Sequence, residues 1–183
     1  MRIAILRIGS VDIDVLESIQ RSLYGVFPEV SCDILEPTMP IPERAHDQLR
    51  DQYYSSDILA RIRECFEKSG ADRILGVTEV DLHIPHFNFV FGEAECPGKV
   101  AVISLFRLKP EFYGEYSDRN LLAERSAKEA VHEIGHTLGL EHCLNSACVM
   151  FFSSRIQMTD AKVFRYCEKC WPKVLRSIRL FVK

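Results

Sequence analysis

The sequence predicts an α/β (α+β) chain: a mixed sheet with one antiparallel edge strand, a long helix packed on it, and a small C-terminal lobe. Three observations carry this. Strand-like and helix-like runs alternate through the first two thirds of the 183 residues. The connection Gly92–Lys99 between two later β-rich runs is too short for a crossover, so those runs pair antiparallel. Four of the seven cysteines crowd between Cys143 and Cys170, beyond the last strand-like run.

Ile3–Leu6 reads as a short buried strand. After Ser10, Val15, Leu16, Ile19 and Leu23 fall at helical spacing, and Gly25 stands as a stop. Val30, Cys32 and Ile34 alternate with Ser31 and Asp33 as a second strand, which Pro37, Pro40 and Pro42 end in an irregular loop. A helix is expected over Ser56–Lys68, with Ser56 as cap, Ile58, Ile62, Cys65 and Phe66 on one face, and Gly70 at its close. Arg73–Val77 is the third strand. Strands separated by helices imply right-handed crossovers and a largely parallel sheet. Phe87–Phe91 and Val100–Phe106 form the hairpin, with Phe87–Phe91 as the reversed strand near an edge and the best candidate to pair with an extended peptide.

The next helix is capped near Ser117 or Asp118 and runs to about Leu138. At about 100° per residue, Ala127, Ala130, Val131, Ile134 and Leu138 share one sector, which faces the core. His132 and His136 lie on nearly the opposite side, which the pattern leaves showing. Trp171, Val174, Leu175, Ile178 and Phe181 mark a last helix with Pro172 in its first turn. The whole reads as one domain over residues 1–183, with an upper lobe over 1–138 and a lower lobe over 139–183. No internal repeat is visible.

Composition narrows the function. With 23 Lys and Arg against 26 Asp and Glu, a net charge of −3 gives no reason to expect nucleic acid as a partner. No apolar run approaches the roughly 20 residues that span a bilayer, and charge at Arg2 and Arg7 interrupts any signal-peptide core. The expectation is a cytoplasmic monomer with no membrane partner. A reducing compartment then asks for a metal or catalytic role for clustered cysteines. Cys32 and Cys65 fall on apolar faces as buried small hydrophobes. The basic residues Lys162, Arg165, Lys169, Lys173, Arg176, Arg179 and Lys183 read as a solvated face.

His132-Glu133-Ile134-Gly135-His136 puts two imidazoles one helical turn apart, with Glu133 beside them. The pattern continues to His142, after Gly139, whose freedom to take a positive φ lets the chain fold back and aim the third ring at the same ion. Three neutral nitrogens leave one position of a catalytic zinc open for water. Glu133 is placed to take the proton of that water as a carbonyl is attacked. Cys143-x4-Cys148 and Cys167-x2-Cys170 have the spacing of two pairs that share a structural zinc. Two disulfides are the alternative in an oxidising compartment, and a redox pair at Cys167 and Cys170 is a further one. His83 and His86, three apart with no third ligand nearby, read as loop or cleft-edge residues.

His132-Glu133-x-x-His136-x-x-Gly139-x-x-His142 resembles the zinc signature of the metzincin metallopeptidases, with Met150 in the place of their Met-turn. Cys143, Cys148, Cys167 and Cys170 make the chain similar to the archaemetzincin branch. Gly76-Val77-Thr78, Asp81-Leu82 and Phe87-Asn88-Phe89-Val90-Phe91-Gly92 also resemble that branch, so the likeness covers most of the chain. It implies a metzincin-like mixed sheet, an active-site helix and a peptide or protein substrate. It also implies two zinc ions per chain: one catalytic on His132, His136 and His142, one structural on the four cysteines. Met150 supporting the histidine rings is likewise what the resemblance implies; by residue type alone it is equally a core methionine. A zinc-stabilised peptide- or protein-binding module without hydrolytic activity, and hydrolysis of a non-peptide amide, are the rival functions.

Overall fold

The computed structural model describes residues 1–27 and 29–181. Strands β1 (Arg2–Ile8), β2 (Ser31–Met39), β5 (Arg73–Thr78), β7 (Gly92–Ala94) and β8 (Val100–Ser104) build a five-stranded sheet in the order β2-β1-β5-β8-β7. The first four strands of that order run parallel, and β7 pairs antiparallel with β8 at the edge. The expected mixed sheet with one reversed edge strand is therefore present.

Alternation along the strands divides the core. Ile3, Ile5, Leu75, Val77, Ala101 and Ile103 pack on one face with Leu16, Ile19 and Leu23 of α1 (Ile13–Val26) and Ala130, Val131 and Ile134 of α3 (Arg119–Thr137). Ala4, Leu6, Ile8, Ile74, Val100 and Val102 face the other way, onto Ile58, Leu59 and Ile62 of α2 (Ser55–Ser69). Side chains on successive strand residues point to opposite faces, so a strand covered on both sides must be apolar throughout. All residues of β5 and β8 are buried.

Several sequence expectations need correction. β2 runs through Pro37 to Met39. It is an edge strand, where a missing N–H is tolerated, and its register against β1 shifts between Leu6 and Ile8. Helix α1 passes Gly25 and ends at Val26; Asp12 caps it, accepting from the Asp14 N–H at 3.1 Å. Ser56 does not cap α2: Tyr54 holds that position, and the Ser55 and Ser56 hydroxyls donate to the Glu93 carboxylate instead. Cys32 is buried as expected, whereas Cys65 is half-buried.

Phe87–Phe91 is not a strand. The reversed strand begins only at Gly92, and Val90 makes a single bridge to Leu82. His86 has φ +71°, which interrupts extended backbone, and side chains take carbonyls that a strand partner would need. The Arg50 guanidinium donates to Phe87 O and Asn88 O, and Gln52 Nε2 to Asn88 O. Gln52 belongs to, and Arg50 to a turn of, a second, small sheet that sequence did not foresee: β3 (His46–Asp47), β4 (Gln52–Tyr54) and β6 (Leu82–His83), in the order β3-β4-β6. His83 is thus a buried strand residue whose ring lies tilted against that of Tyr54, not a loop residue.

Helix α3 is capped by Asp118, which accepts from Asn120 N and Leu121 N. It is buried on all sides from Arg125 to Gly135, not on one face. The second cover is the segment after it. Arg125 grips the Asp160 carboxylate with two bonds of 2.8 Å, and Tyr166 OH donates to Val131 O. Asp160 lies in α4 (Ile156–Ala161), a short helix absent from the sequence reading. The last helix, α5 (Trp171–Arg179), begins with Pro172 in its first turn as expected and sends Val174 and Ile178 into the main core. Among the described residues no helix is long and apolar enough to cross a membrane.

Candidate active site

Helix α3 ends by a device its sequence encodes. Gly139, at φ +88°, follows the C-cap residue Leu138; the Gly139 N–H donates to His136 O and the Leu140 N–H to Gly135 O. This is the Schellman pattern, and it reverses the chain at once. His142, three residues on, then stands beside the two helical histidines. The ring centroids of His132, His136 and His142 lie 4.6 to 5.4 Å apart, and their ligand atoms all fall within 4.8 Å of one another.

The tautomers follow from the bonds. His132 Nδ1 lies 2.7 Å from Val149 O, and His136 Nδ1 lies 2.7 Å from Leu140 O. A carbonyl only accepts, so each Nδ1 carries its ring's proton. Burial, then the nearby Lys162 ammonium, holds His132 well below the usual imidazole pKa, and burial also lowers His136 and His142. Neutral rings with Nδ1 protonated present lone pairs at Nε2, and the two Nε2 atoms face each other at 3.0 Å. Two acceptors at that distance with no proton between them repel. A cation resolves the conflict, so the donor set fits a metal of the zinc class.

Glu133 lies between the helical histidines, buried, with its carboxylate against β7. Burial, and next the like charge of Glu129, pushes its carboxyl well above the usual carboxylate range. That direction suits a group that exchanges protons near neutrality. Met150 is fully buried, and its sulfur occupies the space beside Gly135, where a Cβ would come within 2.5 Å of it.

The four clustered cysteines form a second group. Cys143 Sγ and Cys167 Sγ are 3.8 Å apart, the Cys167 N–H donates to Cys148 Sγ, and all four are free thiols. Burial acts to raise the Cys167 pKa, but hydrogen bonds from the backbone N–H groups of Cys170 and Lys169 and with the Cys148 and Cys143 side chains together bring the thiol down to about 7. Four sulfurs in one cluster with one held toward thiolate fit a closed tetrahedral site. His142 and Cys143, adjacent in sequence, fall into different groups.

A cavity of about 530 Å³ opens onto the histidines and Glu133. Its other walls combine the run expected from sequence to meet a peptide with a segment after Met150 that sequence reasoning missed. Phe87, Phe89 and Gly92 come from the upper rim, Phe152 and Ser153 from the segment after Met150. Glu129, also in the wall, is one helical turn before Glu133, and that spacing was a readable signal. Its partner Lys162 gave none. Read as part of a solvated face, Lys162 is instead fully buried, with Nζ 3.0 Å from Glu129 Oε1, which also accepts from Thr159 Oγ1 at 3.1 Å.

Comparison with known proteins agrees with this geometry. Residues 13–176 match the model of peptidase family M54. An archaemetzincin of Methanocaldococcus jannaschii is 46% identical over 174 residues, covering 95% of this chain and 93% of that protein. An archaemetzincin of Pyrococcus abyssi is 43% identical over 182 residues, covering 96% and 95%. Among solved structures, the archaemetzincin of Methanopyrus kandleri superposes with a TM-score of 0.84 at 33% identity, covering 98% of this chain and 96% of that one. The archaemetzincin of Archaeoglobus fulgidus, crystallised with malonate, gives 0.79 at 38% identity, covering 94% and 99%. With the histidine and cysteine groups in place and relatives matching nearly end to end, the chain belongs to peptidase family M54, the archaemetzincin family of zinc metallopeptidases.

Proposed function

We propose that the chain hydrolyses peptide bonds with a catalytic zinc held by His132, His136 and His142, and that a second, structural zinc is held by Cys143, Cys148, Cys167 and Cys170. The observation that carries this is the pair of Nε2 lone pairs facing at 3.0 Å beside a buried carboxylate in an open cavity. When bound, the catalytic zinc supplies the Lewis acidity that makes water nucleophilic and a carbonyl electrophilic near neutral pH. The chain supplies the rest. Val149 O and Leu140 O fix the orientation of the first two rings. The Glu133 carboxylate takes a proton at the oxygen of the attacking water and returns it to the nitrogen of the leaving amine. The free edge of β7 offers unpaired backbone groups to an extended peptide.

The cysteine group supports a division of labour in which residues 1–138 form an upper lobe and residues 139–183 a lower one fastened by its own metal. Such a metal would hold the turn carrying His142 and Met150 against the start of α5.

The test is cleavage of a peptide library by zinc-loaded protein, read by mass spectrometry, with Glu133→Ala in parallel. General-base assistance is worth about 10²–10⁴-fold, so the variant should keep both metals and lose nearly all turnover. Cleavage by Glu133→Ala at the parent's rate would overturn the mechanism.

A further inference from the structure

Strand β7 turns its side chains alternately to the two faces of the sheet. Glu93 pairs in register with Val102, which belongs to the core beneath α2, while Ala94 pairs with Ala101, which belongs to the core beneath α3. Side chains that lie side by side on neighbouring strands share a face. The Glu93 carboxylate therefore lies on the α2 side, where it accepts from the Ser55 and Ser56 hydroxyls at the start of that helix.

The backbone of β7 alternates in the plane of the sheet. The Ser104 N–H donates to Phe91 O at 2.8 Å and the Glu95 N–H to Val100 O at 3.2 Å, so Phe91, Glu93 and Glu95 turn their peptide groups toward β8. Gly92 and Ala94 turn theirs to the free edge. A peptide that pairs with Gly92 and Ala94 thus sets one residue beside Glu93, with its side chain on the same face. Gly92 abuts the Glu133 carboxylate, which puts that residue close to the reacting bond.

The charge at this position is uncompensated. Glu93, Glu129 and Glu133 border the cavity, and no Lys or Arg is among the described residues that line it. Glu129 has its own cation in Lys162, with Nζ at 3.0 Å. Glu95, on the same face as Glu93, pairs with Arg63 and accepts from the Lys99 N–H at 3.0 Å. Among the described residues half-buried Glu93 has hydroxyl partners only. Two hydroxyls supply two protons, whereas an ionised carboxylate offers about four acceptor sites. Acceptor capacity for a ligand cation is left over.

We propose that Glu93 is a specificity-determining residue of the cleft, selecting a substrate with a lysine or arginine side chain beside it and rejecting one with an acidic side chain there. The proposal rests on the reading of β7 as the peptide-binding edge. Because the carboxylate is turned toward α2, the ammonium or guanidinium of a side chain meets it, and a free chain end lying in the plane of the sheet does not. Opposite charges side by side on adjacent strands attract and like charges repel, so both effects enter the ratio between a basic and an acidic residue.

The test uses zinc-loaded protein carrying Glu133→Ala, so that bound peptide is not consumed. The probes are N-acetylated, C-amidated decapeptides of Ala, Val and Ser, each with a single Lys, Arg, Gln, Asp or Glu at an inner position, titrated by calorimetry. The Lys and Arg peptides should bind about tenfold tighter than the Asp and Glu peptides, the product of one favourable and one unfavourable cross-strand pair. Adding Glu93→Gln, which still accepts from the serines, should bring that ratio below about twofold, and Glu93→Asp should preserve the preference. Glu67→Gln, the same change of charge at an exposed position of α2, should leave the ratio at its parent value. Equal affinities, binding of no probe, a preference that survives Glu93→Gln, or one lost equally in Glu67→Gln overturns the proposal. The ratio before any change at position 93 is already decisive against it, so a variant that fails to fold does not shield it. If the preference appears only when the N-acetyl group is absent, the group recognised is a chain end and the proposal falls. Failure of the peptidase reading has a different signature: the charge preference in binding persists while protein with Glu133 intact cleaves none of the probes.

Discussion

Gly92 and Glu133 occupy one space that only a residue without a side chain can share. A Cβ built at Gly92 would come within 2.7 Å of Glu133 Oε1, 2.8 Å of its Cγ and 2.7 Å of Val102 O. The reversed edge strand therefore presses directly on the carboxylate, and the backbone on its other side is fixed by the sheet.

Gly92→Ala should accordingly move Glu133 while leaving the histidines alone. Overpacking of this kind costs about 1–3 kcal/mol, and a displacement of about 1 Å at a reacting group costs on the order of 10²-fold in rate. The expected result is a lower melting temperature, unchanged zinc content and a kcat reduced by one to two orders of magnitude, about what the misplacement predicts. Parent-like turnover in a folded Gly92→Ala protein would show that the contact does not position the carboxylate.

The histidine pattern was legible because it is local: a helical repeat of four and a glycine at the turn put three imidazoles together without help from the rest of the chain. The parallel core was legible for a similar reason, as the centres of β1, β5 and β8 (3–6, 74–77 and 100–103) are apolar runs apart from Gly76. The upper rim was not. Phe87–Phe91 carries strand-like residues, but Gln52 of a small sheet distant in sequence, and Arg50 of the turn before it, hold its carbonyls. Lys162 was misread because nothing near it in sequence shows that Glu129 will meet it.

Gly139→Ala tests the turn that delivers His142. The Cβ would have room, its nearest neighbour being Pro97 Cβ at 3.6 Å, so the cost is that of φ +88° alone. A left-handed conformation costs about 1–2 kcal/mol for a residue with a Cβ. Zinc should bind more weakly at the histidines while the cysteine-held metal stays. Gly139→Asn should lose less, since Asn tolerates this position. Equal affinity in all three proteins would separate the turn from metal binding.

Metal analysis of fully loaded protein should find two zinc ions per chain. His132→Ala should remove about one, and Cys167→Ser the other, because the two donor groups share no residue. Chelators should take the histidine-held metal first, since His142 is exposed whereas Cys148 and Cys170 are buried. Activity should therefore vanish before the melting temperature falls, and loss of the second metal should bring the fall. A single zinc, or disulfides among the four cysteines, sinks the two-site reading.

Lys162 and Glu129 form an ion pair with side chains 0% and 4% exposed. It joins the active-site helix to the segment that carries Phe151 and Phe152. A buried pair is weak evidence for stability as such, but removing one partner strands a charge and costs about 3–5 kcal/mol. Lys162→Met should therefore lower the unfolding free energy of the loaded protein by about that much, read by urea titration. Glu129→Gln removes the stranded charge and leaves Thr159 an acceptor. The double variant should then be more stable than Lys162→Met alone, a coupling that a double-mutant cycle measures. Strictly additive losses would mean that the two side chains contribute separately, through packing, and that the ion pair does not hold the lower segment to α3.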